Sequence, residues 1–227
     1  MRFAVCSLTK GEEYKRSVLW CTVSQKQHAK KHGYTLINEE LPFDATRRDL
    51  QWSKIPLIQK HLADWDWLVW LDGDVLITNQ DRKIEDLIQL AKPDKFLFIG
   101  TDFQGLNSGV FFIRNCPLAH EFLNDVWSFE GYDKRLFHEQ TAMEHLIRTY
   151  KYASGVQVVP HKHINIINAY DFRMDPKVHW LPGDFCVHFA GIRPKTTTET
   201  FLAIQKTYYD RITNDSSGTE RIKQYDS

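Results

Sequence analysis

The chain has 227 residues, and its 29 Lys+Arg balance 29 Asp+Glu, so its formal net charge is zero. That balance excludes a protein devoted to coating nucleic acid or anionic membrane. Its 42% hydrophobic and 26% charged residues exclude a disordered chain and suit one domain, or two small ones, with a sizeable core.

Residues 2–8 (RFAVCSL) read as a buried strand that ends in the turn Thr9-Lys10-Gly11. Over residues 13–32 the apolar positions Val18, Leu19, Val23 and Ala29 have helical spacing, and Gly33 supplies the stop. Residues 34–38 (YTLIN) alternate as a strand, and residues 51–63 are helical, with Pro56 either kinking the helix or standing in its first turn. Residues 67–71 (WLVWL) are strongly β-prone and stop at Asp72-Gly73-Asp74. A helix at 84–91, strands at 96–99 and 110–113, and a helix at 117–127 opened by Pro117 follow. Then come a helix at 138–150, strands at 156–159 and 185–189, and a helix at 200–211. This alternation predicts an α/β domain over residues 1–212, with a mostly parallel, Rossmann-like central sheet and flanking helices. Residues 213–227 read as a polar, flexible tail.

Cys6, Cys21, Cys116 and Cys186 have no CxxC or CxH spacing, which leaves unpaired buried thiols of a reducing compartment as the expectation. The N-terminal apolar run is too short for a signal peptide or anchor. No later segment approaches the ~20 apolar residues of a spanning helix. The expectation is a cytoplasmic protein with no integral membrane segment. Of the seven tryptophans, Trp65, Trp67 and Trp70 belong to the core around one strand, whereas Trp52 and Trp180 are better placed for a ligand.

Open α/β sheets bind ligands beyond the carboxyl ends of their strands. Asp72 and Asp74 stand at such an end, and Gly73 lets the chain turn so that both converge. Two hard oxygen ligands so placed suit Mg²⁺ or Mn²⁺. Four aspartates and no Lys or Arg lie between Asp64 and Asp74, a costly cluster without a cation. A lone D-G-D is as readily a polar turn. The histidines elsewhere offer less: His161-x-His163 has no acidic partner nearby, and His28 and His32 are expected to face solvent.

The stretch LDGDVLIT resembles two enzyme classes. One is the haloacid-dehalogenase-type phosphohydrolases, in which Asp72 would be a nucleophile. The other is the nucleotide-sugar-dependent glycosyltransferases of the GT-A fold, whose DxD carries a metal bound to the diphosphate. Leu76 stands where the phosphohydrolases have Thr or Val, and their downstream acidic pair is missing, so the transferase reading fits better. Further segments then fall into order: His32-Gly33-Tyr34, Trp52-Ser53-Lys54-Ile55-Pro56, residues 107–115 (NSGVFFIRN), His138-Glu139-Gln140 and residues 188–194 (HFAGIRP). Together they resemble glycosyltransferase family 34, which includes α-galactosyl-, α-mannosyl- and xyloglucan α-xylosyltransferases.

That resemblance implies a GT-A domain moving a sugar from a nucleoside diphosphate, UDP favoured over GDP, to a hydroxyl on a glycan or glycoconjugate, with retention. It implies Asp72, Asp74 and His188 as metal ligands, and one nitrogen in an oxygen shell favours Mn²⁺ over Mg²⁺. Gln140 or Glu139 would lie beneath the sugar, while an inverting enzyme would need Glu139 as base. Arg193 stands where members carry Lys in G-x-K-P and would neutralise the leaving diphosphate, with Lys195 as a substitute. Lys54 would reach the donor, or else be a solvated helix lysine. Leu8 and Thr9 would hold base and ribose, and Gly73, Asn107, Ser108, Gly109 and Gly191 would line the donor site, although N-S-G also reads as a plain turn. His138 departs from an additional Asp of some members, which bears on the donor. The secretory-pathway members carry an anchor, so the expectation is a microbial or viral enzyme unless an anchor has been removed. A non-catalytic sugar-nucleotide or glycan-binding module is the remaining alternative.

Overall fold

The computed structural model describes residues 1–40, 48–102, 105–130, 138–160, 166–167, 180–192 and 195–212. Arg193, Pro194, His161, His163 and the tail at 213–227 lie outside them. The strands are β1 (Phe3–Leu8), β2 (Thr35–Ile37), β3 (Trp67–Asp72), β4 (Val75–Ile77), β5 (Leu97–Asp102), β6 (Gly105–Arg114), β7 (Val156–Pro160), β8 (Ile166–Ile167) and β9 (Cys186–His188). The helices are α1 (Glu12–Ser17), α2 (Leu19–His32), α3 (Lys54–His61), α4 (Ile84–Ile88), α5 (Pro117–Ser128), α6 (His138–Ile147), α7 (Tyr150–Ala153) and α8 (Thr198–Tyr209).

Six strands form the central sheet in the order β2-β1-β3-β6-β5-β7. All neighbours are parallel except β6, which runs against β3 and β5. Only two residues separate β5 from β6, too few for a crossover, so the pair closes as a hairpin. The expected mostly parallel sheet is therefore present, with one reversed strand. Both faces are covered, which explains why WLVWL is apolar throughout. Leu68 and Trp70 pack against Trp52, Ile55, Phe122 and Met143 on one face. Val69 and Leu71 meet Ile77, Ile84 and Phe185 on the other. Trp52 and Trp180, expected nearer a ligand, are buried. Among the described residues no helix is long and apolar enough to cross a membrane.

The helix expected over 13–32 is broken at Val18. Ser17 Oγ donates to Tyr14 O at 2.9 Å, a back-bond that bends helices, and Gln205 Nε2 of α8 donates to the Ser17 carbonyl at 2.6 Å. Gly33 ends α2 in the left-handed conformation (φ 73), as its position predicts. The helix expected at 138–150 likewise divides into α6 and α7.

A second, three-stranded sheet in the order β4-β9-β8 was not legible in the sequence. Among the described residues its edge strand β4 has a strand neighbour on one side only, and polar side chains of α2 take the other. Ile77 N–H donates to Ser24 Oγ at 3.0 Å, and Gln25 Nε2 donates to Asp72 O at 3.1 Å and Val75 O at 2.8 Å. His28 and His32, expected in solvent, hold the segment that follows β4: their Nε2 atoms bond Arg82 O and Gln80 O, each at 2.8 Å. His28 is fully buried, and that burial lowers its pKa to about 4. Below pH 6.5 the unfolded chain takes up a proton that folded His28 refuses until about pH 4, so stability falls as pH drops through this window. His28 alone is expected to remove about 2 kcal/mol between pH 7 and pH 5. Urea melts at the two pH values check this, and His28→Gln is expected to flatten the dependence.

Candidate active site

Strand β3 delivers Asp72 at its carboxyl end, and Asp74 follows before β4. The two-sheet arrangement then supplies the third member. Strand β9 pairs antiparallel with β4 so that His188 lies opposite Val75, and Phe189 N–H bonds Asp74 O at 3.1 Å. His188 Nε2 stands 3.3 Å from Asp74 Oδ1 and 3.8 Å from Asp72 Oδ2. One ligand atom from each of the three residues lies within 4.8 Å of the others.

The glycines work by close approach. Gly73 is not in the left-handed region, contrary to a turn that needs glycine for its φ. A Cβ there would lie 2.9 Å from Tyr14 Oη and 3.0 Å from Leu8 O, so glycine lets the motif press against the end of β1. At Gly109 a Cβ would lie 2.1 Å from His188 Cε1, and only hydrogen leaves room for the imidazole. Gly109→Ala is expected to displace His188 and, if the Asp72–Asp74–His188 group holds a divalent cation, to weaken that binding about 10- to 100-fold, a loss readable by metal titration.

Lys54 opens α3 and is buried, so the solvated-helix alternative does not hold. Its Nζ lies 3.0 Å from Asp72 Oδ1, 2.7 Å from Glu139 Oε1 and 3.2 Å from Ser108 O. Burial works against the ammonium, but Asp72 and Glu139 outweigh it and hold the Lys54 pKa above its ordinary value. Burial likewise opposes the Asp72 carboxylate, and Lys54 and His188 overcome it, so Asp72 titrates below the usual range. His188 is raised for the corresponding reason: Asp74 and Asp72 outweigh its burial.

Ser108 ties these groups to α6. Its hydroxyl lies 3.0 Å from Glu139 Oε1, and its backbone N–H donates to Gln140 Oε1 at 2.8 Å. Because a backbone N–H only donates, the atom facing Ser108 must be the amide oxygen, which leaves the NH₂ end of Gln140 for a ligand. Glu139 is 3% exposed and held by Lys54, so it is an internal counter-ion, not a carboxylate open to an acceptor. His138, just before it, has φ 43 and lies 3.2 Å from Asp49 Oδ2, a strained entry into α6.

Other expected residues make different contacts. Asn107 accepts from Gly109 N–H at 2.9 Å and donates to Asp102 Oδ2 at 2.8 Å, so its amide braces the start of β6. Leu8 is in register with Asp72, and Thr9 is buried against Asn38, whose Nδ2 donates to Thr9 Oγ1 at 3.1 Å. Gly191 and Lys195 are exposed beyond β9 and make none of the contacts described. Sequence reasoning missed Gln25, Trp70 and Asn38. Of these only Trp70, two residues before Asp72 on the same face of β3, carries a readable signal.

The cluster fits a divalent cation. With a neutral imidazole, three carboxylates (Asp72, Asp74, Glu139) against one ammonium (Lys54) leave a local charge of −2. Two oxygens and one nitrogen converge from two sheets, a donor set suited to Mn²⁺.

The family model described as galactosyl transferase GMA12/MNN10 family matches residues 5–96 and 89–199. The chain belongs to that family. An alpha-1,2-galactosyltransferase of Schizosaccharomyces pombe is 30% identical over 226 residues, covering 79% of this chain and 57% of the relative. An uncharacterized alpha-1,2-galactosyltransferase of the same organism is also 30% identical, over 74% of this chain and 54% of the relative. The chain thus spans about half the length of these curated relatives. Among solved structures, a glycosyltransferase involved in the glycosylation of the major capsid of PBCV-1 superposes with a TM-score of 0.71 at 18% identity, covering 91% of this chain and 100% of that one. The glycosyltransferase GlyE of Streptococcus pneumoniae gives 0.57 at 14% identity, over 92% of this chain and 63% of that one. These likenesses establish a GT-A-type fold, and the family assignment replaces the phosphohydrolase reading.

Proposed function

We propose that this chain is a divalent-metal-dependent glycosyltransferase that moves a hexose from a nucleoside diphosphate to a hydroxyl of a glycan or glycoconjugate. The observation that carries this reading is the convergence of Asp72, Asp74 and His188 at the strand ends of a GT-A-type fold. Those three residues would hold the cation, Mn²⁺ before Mg²⁺, which supplies Lewis-acid stabilisation of the leaving diphosphate when bound. Arg193 would add a second positive charge there. Leu8 and Thr9 would sit beside base and ribose, and the NH₂ of Gln140, whose amide oxygen faces Ser108, would donate to donor oxygens.

Retention of configuration is part of the proposal. The relatives' names specify alpha linkages, and an α-linked UDP-hexose gives an α product only if its configuration is kept. The ion pair between Lys54 and Glu139 supports this reading, because it would occupy the carboxylate that inversion needs as its base. Galactose from UDP-galactose is accordingly the first donor to test.

The decisive measurement is thermal shift with UDP-, GDP- and dTDP-sugars, each with and without Mn²⁺. A UDP-sugar with Mn²⁺ at one hundred times its Kd is expected to add about 2.7 kcal/mol of stability. Product NMR then reads the anomeric configuration. Absence of metal-dependent stabilisation by every nucleotide would overturn the reading.

A further inference from the structure

We infer that Trp70 is a positioning residue for the metal site, acting through Asp72; this rests on the reading of Asp72, Asp74 and His188 as ligands. Trp70 is buried in the core of β3 and packs among apolar side chains as such a strand residue should. Its indole N–H, however, donates to Asp72 Oδ1 at 2.6 Å. The bond follows from strand geometry: residues two apart share a face, so the ring edge of Trp70 lies beside the carboxylate that ends the strand.

The same oxygen receives Lys54 Nζ at 3.0 Å, and that ammonium also sits 5.4 Å from the centre of the Trp70 ring. Two donors therefore occupy Oδ1, while Oδ2 is the oxygen that looks toward His188 Nε2, at 3.8 Å. Turning the carboxylate plane out of this orientation would break both bonds. An indole N–H cannot accept, so its demand on Oδ1 never reverses, and a buried N–H without this partner would be orphaned. Lys54 alone gives a weaker constraint, because its three protons are shared among Asp72, Glu139 and Ser108. Trp70 thus presents Asp72 to a cation through one chosen oxygen, as outer partners of metal ligands do.

The test is Mn²⁺ titration of the full chain, with free Mn²⁺ read by electron paramagnetic resonance. Trp70→Phe removes the donor and keeps an aromatic ring. Site-specific replacement of Trp70 by 3-benzothienyl-alanine keeps the whole bicyclic shape and exchanges N–H for sulfur, so folding is preserved even if the phenylalanine variant is lost. Trp67→Phe, on the same strand, is the control for altered packing. The isostere is expected to bind Mn²⁺ about 10- to 100-fold more weakly than wild type, with an unchanged metal-free melting temperature. Trp67→Phe should retain wild-type affinity. Wild-type affinity in the isostere, or an equal loss in Trp67→Phe, overturns the inference and leaves the proposed function standing. A wild-type chain that leaves Mn²⁺ free overturns the metal-centre reading and this inference together.

Discussion

Asp74→Asn is expected to lower metal-dependent sugar transfer about a thousandfold, a loss of about 4 kcal/mol in transition-state stabilisation. The substitution keeps the size of the side chain and removes one of the two carboxylates that face His188 and would hold the cation. The fold should survive it, because β9 is anchored by the backbone oxygen of Asp74, which accepts from Phe189 N–H at 3.1 Å. Comparing kcat/KM at saturating Mn²⁺ with the circular dichroism spectrum separates the two effects. Full transfer by the variant would remove Asp74 from the site.

Lys54→Met carries the largest expected cost in stability. It leaves Glu139, 3% exposed, and Asp72 without their shared ammonium. Breaking a buried ion pair from one side typically costs about 3–5 kcal/mol, whereas replacing both partners with neutral groups is far milder. For a chain of this length that corresponds to a fall in melting temperature of roughly 6–20 °C. The double variant Lys54→Met/Glu139→Gln is expected to recover most of that loss and still bind Mn²⁺ poorly, since Asp72 Oδ1 keeps only its bond from Trp70. Thermal melts and metal titration of the single and double variants check both parts. A single variant as stable as wild type would show that the ion trio contributes little.

The fold was legible where local pattern and packing agree. WLVWL and RFAVCSL become the central parallel strands because a strand covered on both faces has no polar side to interrupt it. Gly33 ends α2 as its φ requires. Legibility failed where polar groups bond to distant backbone. Ser24, Gln25 and His28 look like the outer face of a helix, yet they are buried because the edge of β4 and the segment after it need partners. Likewise, nothing in the local sequence shows that Gln205, 188 positions away, takes the carbonyl of Ser17 and breaks the first long helix.

The candidate site divides in the same way. By itself the sequence determined the residue types and their order: an acidic pair after an apolar strand, a strand-end histidine, a lysine opening a helix, and the Glu139-Gln140 step. Those features reside in short stretches whose chemistry does not depend on their neighbours. Only the tertiary structure decided which of them act together and in what role. Pairing β9 with β4 brings His188 from more than a hundred residues away to face the acidic pair. Packing α3 against the sheet makes Lys54 the partner of Asp72 and Glu139, so Glu139 becomes a counter-ion and Trp70 a donor as well as core. The physical reason is that burial assigns these roles: once water is excluded, each charge and each N–H must find its partner among groups the chain brings together from afar.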